Sequence, residues 1–305
     1  MRPDGAERWR KRVPVPRGDY ELTIQAVTNL VREAERDTNA MCSVGVGTPG
    51  AISAASGLMK NCNSVWLNGM PFKSDLEAAL GRAVRLANDA NCFALSEAID
   101  GAARGERIVF GVILGTGVGG GIVVDGKALE GRNSISGEWG HNPLPWPQVG
   151  ETPGPDCYCG KTGCIETFLS GPGLSDDYIR SSEPRPKGSQ HHESRNSSSR
   201  NNGPRNHALT VGAADVFARA EAGDPRALGC VERYMDRLAR SLAHVINIVD
   251  PHVIVLGGGL SNVDRIYRDV PKSWCRYIFS DVVATRLLRH AHGDASGVRG
   301  AAWLW

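Results

Sequence analysis

Three cysteines fall within eight residues, Cys157-Tyr158-Cys159-Gly160-Lys161-Thr162-Gly163-Cys164, and no other stretch restricts the fold so sharply. A short backbone with two glycines can curl until three sulfurs converge, and thiolates at such spacing suit a tetrahedral cation. His141, sixteen residues upstream, can supply the fourth ligand of a Cys3His zinc site. Four protein ligands leave no open coordination position, so the expected role is structural. The other five cysteines (42, 62, 92, 230 and 275) lie scattered through apolar or mixed segments. No apolar stretch follows Met1-Arg2-Pro3 as in a secretory signal, so they read as reduced cytosolic thiols and the expected location is cytoplasmic.

Composition excludes several classes. Lys+Arg 35 against Asp+Glu 33 gives a net charge of +2, which argues against a dedicated nucleic-acid binder. The uncharged run Ile108 to Val124 holds six glycines and reads as strands around a loop, not as a membrane helix. A chain of 305 residues has room for two domains with cores of their own.

Strands alternate with helices in the first hundred residues, the sign of an α/β fold. The apolar spacing of residues 22–34 predicts a helix, and residues 43–47 a buried strand ending in the turn Gly47-Thr48-Pro49-Gly50. Ser74-Asp75-Leu76-Glu77 reads as a capping box ahead of a short helix closed by Gly81. Residues 84–87 predict a strand and 92–99 a helix. Two further strands, 108–114 and 119–124, precede an Asp125-Gly126 turn, a strong hairpin signal. Helices are expected over 213–222 and, behind Asp224-Pro225, through Asn247, followed by a buried strand at 253–256.

Residues 181–207 contain no aliphatic, aromatic or cysteine side chain. Such a segment cannot bury enough surface to offset its ordering entropy, so a disordered surface insertion is expected.

Three further features carry chemistry. Gly115-Thr116-Gly117-Val118-Gly119-Gly120-Gly121 joins two predicted strands. Its backbone N–H groups can approach phosphate oxygens, although a plain hairpin gives the same pattern. Asn88-Asp89 sits between a strand and a helix, where ligands bind in open α/β sheets. Asp89 there can take the proton from a hydroxyl nucleophile, or simply cap the helix. Glu138 and Glu166 flank the cysteine cluster and are held by its rigid loop.

The stretches GVGTPGAIS (45–53), NDANCFALSEAIDGA (88–102), LGTGVGGGIVVDGK (114–127), GEWGH (137–141), CYCGKTGCIE (157–166), VIVLGGGLSN (253–262) and HGDASGVRGAAWL (292–304) together resemble the ROK family of bacterial sugar kinases, in particular its fructokinase-like branch. The resemblance runs from about Arg10 to the end, apart from 181–207. It implies a two-domain actin/hexokinase-type (ribonuclease H-like) α/β fold. The smaller domain would take 1–107 plus 292–305, and the larger 108–291 with a zinc loop at 137–166.

By the same resemblance Asp89 would be the catalytic base, and Asn88, Asp89, Glu138, His141 and Glu166 would hold the sugar hydroxyls. Gly115, Thr116, Gly117, Val118, Gly119, Gly120 and Gly121 would contact phosphates, with Gly257, Gly258 and Gly259 beside the adenosine. His141, Cys157, Cys159 and Cys164 would bind structural Zn2+. The implied reaction is phosphorylation of a hexose by ATP with Mg2+, fructose leading and glucose, mannose or N-acetylglucosamine as rivals. A homodimer is expected, with neither nucleic acid nor membrane as a partner. Family members begin with a strand and an Asp-Xaa-Gly-Gly-Thr-Lys loop that this sequence does not contain. The expectation is therefore an unpaired sheet edge near the N-terminus and weakened phosphate binding, with a sugar-binding protein devoid of kinase activity as the alternative. A transcription regulator would need an N-terminal helix-turn-helix, and only about ten residues precede the recognisable part.

Overall fold

In a computed structural model of the chain, residues 1–181 and 211–305 are described. Ser181 ends a helix, and the rest of the 181–207 insertion lies outside the described residues.

Asp19 caps α1 (Tyr20–Thr38) through a bond from Leu22 N, and Asn39 closes it in the left-handed conformation. Strand β1 (Val44–Thr48) leads into a small hairpin of β2 (Ala51–Ile52) and β3 (Met59–Lys60). The next helix, α2 (Phe72–Leu80), corrects the predicted capping box. It starts at Phe72 behind Pro71, Ser74 lies inside it, and the Glu77 carboxylate instead accepts from Val84 N. Strand β4 (Val84–Asn88) pairs in parallel with β1 and passes directly into α3 (Asp89–Ile99).

Strand β5 (Ile108–Leu114) is followed by β6 (Val118–Val124) and β7 (Lys127–Ala128). Asp125 and Gly126, both at positive φ (48° and 74°), make the β6–β7 turn that their sequence predicts. After the cysteine loop come α4 (Ile165–Leu169), α5 (Gly171–Arg180), α6 (Ala213–Glu221) and the long α7 (Pro225–Val249). Strand β8 (Val253–Gly257), α8 (Asp264–Trp274), β9 (Arg286–Arg289) and α9 (Ser296–Ala302) complete the chain.

The main sheet has the order β7-β6-β5-β8-β9, with β5, β8 and β9 parallel and β6 antiparallel to β5. Alternation along β5 divides its side chains between two layers. Phe110, Val112 and Leu114 join Tyr234, Leu238 and Leu242 of α7 in one core, while Val109 packs with Phe93, Ala94 and Leu95 of α3 in another. Each such buried aliphatic or aromatic side chain contributes roughly 1.5–3 kcal/mol.

Strand β1 pairs with β4 alone among the described residues. Its edge residue Gly47 lines a groove of about 620 Å³ between α1, α9 and the extended segment 9–16. The unpaired edge expected from the sequence is this one.

Helix α9 holds α3 in place through backbone contact. A Cβ on Gly300 would lie 1.6 Å from Cys92 O, and one on Gly45 would lie 1.8 Å from Ala301 O. Neither obstacle is a movable side chain. Gly300→Ala should therefore lose about 3 kcal/mol or more through overpacking, against a gain of only about 1 kcal/mol in helix propensity. Thermal unfolding checks this; a Tm equal to the parent's contradicts it.

Candidate active site

Asn88 ends β4, and its Oδ1 accepts from Ala90 N (2.9 Å) and Asn91 N (3.4 Å), which makes it the N-cap of α3. Its Nδ2 donates to Gly50 O (3.2 Å). The cap is thus Asn88, and Asp89 opens the helix, with Oδ1 accepting from Ala90 N (2.8 Å). Asp89 is reached by solvent yet has protein on most sides. This partial withdrawal from bulk water pushes its carboxyl above the ordinary aspartate range, against the bond from Ala90 N.

Glu138 precedes a 3-10 turn at Trp139–His141. Burial pushes its pKa up, and the neighbouring carboxylates of Asp89 and Glu166 act in the same direction, while His141 and Lys60 oppose them. Asp89, His141, Glu166 and Lys60 thus all lie near enough to Glu138 to act on its carboxylate. Lys60 of β3 is a fifth member that the sequence reading missed, since a lone lysine in a hairpin gives no signal. Its Nζ donates to Asn133 O (2.8 Å), which ties β3 to the segment before Glu138.

The predicted glycine loop divides into two parts. Residues 118–121 belong to β6, in register with β5. There the missing side chains serve close packing. A Cβ on Gly120 would meet Trp139 at 2.7 Å, and one on Gly121 would meet Ala90 O at 2.6 Å. The buried Trp139 ring donates Nε1–H to Gly119 O (3.0 Å) and stands edge-on to Phe110. The turn itself is 115–117. Glu166, in the first turn of α4, accepts from Val118 N (2.9 Å) and lies 2.7 Å from where a Cβ on Gly117 would be. One carboxylate therefore joins this turn to the cysteine loop.

Gly257 ends β8 against Phe93, Gly258 (φ 81°) lies over Leu114 O, and Gly259 has open space where a side chain would be. Because β5 and β8 are parallel neighbours, the 115–117 turn and the Gly258-Gly259 bend lie side by side at their carboxyl ends.

The four predicted metal ligands converge. The Nδ1 of His141 and the three Sγ atoms all lie within 4.8 Å of one another, with Cys157–His141 at 3.5 Å and Cys159–Cys164 at 3.7 Å. Tetrahedral zinc with ordinary Zn–S and Zn–N bonds spaces its ligand atoms about 3.5–3.8 Å apart, so these two pairs match the ion and the widest would close by about 1 Å around it. The loop is shaped by Cys157 N→Lys161 O (2.8 Å), Gly160 N→Cys157 O (3.0 Å) and Gly160 at φ 87°. Burial raises the Cys157 and Cys164 thiols above the ordinary range, a penalty on the bare thiolates that a bound cation offsets. His141 Nε2 faces Tyr158 Oη (3.0 Å), the kind of partner that orients a metal-bound imidazole.

The chain has relatives that are sugar kinases by name. The N-acetyl-D-glucosamine kinase of Yersinia enterocolitica is 39% identical over 300 residues, covering 97% of this chain and 91% of that protein. The enzyme of the same name from Citrobacter koseri is 41% identical over 301 residues, covering 97% and 91%. The ROK hexokinase structure from Thermus thermophilus superposes with a TM-score of 0.77 at 30% identity, covering 95% of this chain and 88% of that one. A ROK family glucokinase from Streptomyces griseus, solved with glucose and AMPPNP, gives 0.73 at 25% identity over 100% and 93%. The ROK family pattern itself matches residues 2–305, and this chain belongs to the ROK family.

Proposed function

We propose that this chain transfers the terminal phosphoryl group of ATP to a hydroxyl of a hexose, with N-acetyl-D-glucosamine as the preferred acceptor. The observation that carries the reading is the nearness of Asp89, His141 and Glu166 to Glu138, with Glu166 bonded to Val118 N at the glycine turn. A base, hydroxyl-binding carboxylates and an open glycine turn are the parts that phosphoryl transfer to an alcohol needs.

In this reading Asp89 accepts the proton of the attacking hydroxyl as its oxygen bonds to the γ-phosphorus and ADP leaves. Glu138 and Glu166 accept from the flanking hydroxyls and fix the sugar's orientation. Asn88 contributes through its amide edge, since its carbonyl oxygen is engaged by the α3 cap. The Gly115-Thr116-Gly117 turn lies beside the phosphates and Gly258-Gly259 beside the adenosine. Mg2+ arrives with ATP and neutralises charge on its phosphates. Zinc on His141, Cys157, Cys159 and Cys164 braces the loop that carries Glu138 and Glu166. The division into a 1–107 plus 292–305 domain and a 108–291 domain, a cytoplasmic location and a homodimer belong to the same proposal. Among the described residues no helix is long and apolar enough to cross a membrane.

Fructose led the expectation from sequence. Eight relatives 38% to 41% identical carry N-acetyl-D-glucosamine in their names, and this moves the reading to the acetamido sugar. An ADP-coupled assay across a hexose panel tests it. The expected kcat/KM for N-acetyl-D-glucosamine exceeds that for fructose by about tenfold or more, since a site built to hydrogen-bond an NH rejects analogues that lack it. Equal or reversed values contradict the choice of sugar.

A further inference from the structure

A buried ion network lies behind the loop that joins His141 to Cys157, and the chemistry above does not use it. Glu151, 8% exposed at the middle of this loop, accepts from Arg237 Nε (2.8 Å) and from Arg240 Nη2 (2.9 and 3.0 Å). Arg240, only 1% exposed, also donates from Nη1 to the carbonyls of Pro145 (2.9 Å) and Trp146 (2.7 Å), and from Nε to Asp236 (2.9 Å). Arg237 reaches on to Asp177 of α5 (3.0 Å), which also accepts from Arg233 (3.1 Å). Both buried arginines belong to α7, whose middle, residues 237–243, is buried on every side.

The local backbone is under tension. Trp146 has φ 44°, the left-handed region that a bulky residue rarely occupies. Its carbonyl is one of the two that Arg240 holds, and its ring rests on Tyr277 (5.4 Å) and His244 (6.4 Å).

Apolar side chains of equal volume would hold loop and helix together as well as this network does, because the ions carry a desolvation cost. Guanidinium groups add direction: a planar fork fixes a carboxylate and two carbonyls at once. The ends of the fixed segment are His141 and Cys157, and Asp177 extends the grip to the helix that follows α4 and Glu166.

We propose that Glu151, Arg237 and Arg240 are positioning residues for the hexose site, which clamp the 142–156 loop to α7 so that Glu138, His141 and Glu166 keep their places. The inference rests on the kinase reading above. Its test uses Glu151→Gln in the zinc-loaded protein, which keeps the side-chain shape and removes the charge. Hexose KM should rise about tenfold or more while kcat and the KM for ATP stay within about threefold, the pattern of a displaced binding group. Zinc release to a chromogenic chelator should also quicken about tenfold, because the loop between two ligands has lost its anchor. A purely structural role would lower the folded fraction, and with it kcat, at the parent's hexose KM and release rate. That pattern overturns the proposal, as do values all equal to the parent's. If Glu151→Gln does not fold, Arg240→Lys carries the same measurements, since it keeps the charge and gives up the fork. A parent protein that phosphorylates no hexose refutes the kinase reading instead, and the release rate alone then decides whether the clamp exists.

Discussion

Asp89→Asn should lower kcat by about 10²- to 10⁴-fold, the range for loss of a general base, while hexose affinity stays within about tenfold. The substitution is nearly isosteric, and an amide oxygen can still accept from Ala90 N, so the first turn of α3 keeps its bond. What disappears is basicity. Partial burial raises the Asp89 pKa, and the ionised form is the one that takes the proton. Activity should therefore rise with pH through an apparent pKa above the ordinary aspartate value of about 3.9. The acid limb of kcat/KM in the parent checks this, and a limb at or below that value contradicts it. A variant with near-parental kcat removes Asp89 from the chemistry.

Cys159→Ser should abolish zinc binding and, with it, most hexose affinity. Cys159 is exposed, unlike Cys157 and Cys164, so its replacement opens no cavity and reads the metal alone. Without the ion the 137–166 loop keeps the packing of Trp139, its backbone bonds and the Glu151 contacts, but loses the tie that draws the three sulfurs to His141. Glu138 lies at the start of that loop and Glu166 just beyond its last cysteine. Elemental analysis should fall from one zinc per parent chain to near zero, with Tm lower by about 5 °C or more. Equal zinc content in the two proteins defeats the assignment.

Local rules made much of this legible from sequence. Asp125-Gly126 demands a tight turn, the α7 pattern demands a long amphipathic helix, and three thiols in eight residues demand a closed loop. What failed was decided by distant partners. The Ser74 capping box gave way because Phe72 buries in the core with Ile24 and Leu76, and the helix starts three residues earlier, behind Pro71. Helix α8 carries Pro271 and β9 has an arginine at each end, so neither matches its usual pattern. Gly119, Gly120 and Gly121, read as phosphate-binding, also let Trp139 and α3 approach β6 closely, a packing reason that no local pattern announces. The Glu151 network left no distinctive trace, because Arg237 and Arg240 stand with Arg233, Asp236 and His244 in the pattern of a solvated helix face. Their carboxylate lies more than eighty residues away in the chain.

The most direct test of phosphoryl transfer is ³¹P NMR of the purified protein with ATP, Mg2+ and N-acetyl-D-glucosamine. The account predicts a sugar phosphomonoester resonance growing in step with ADP, absent without the sugar and growing about 10²-fold or more slowly with Asp89→Asn. Sugar binding by calorimetry with no phosphomonoester formed would contradict it and leave a sugar-binding protein.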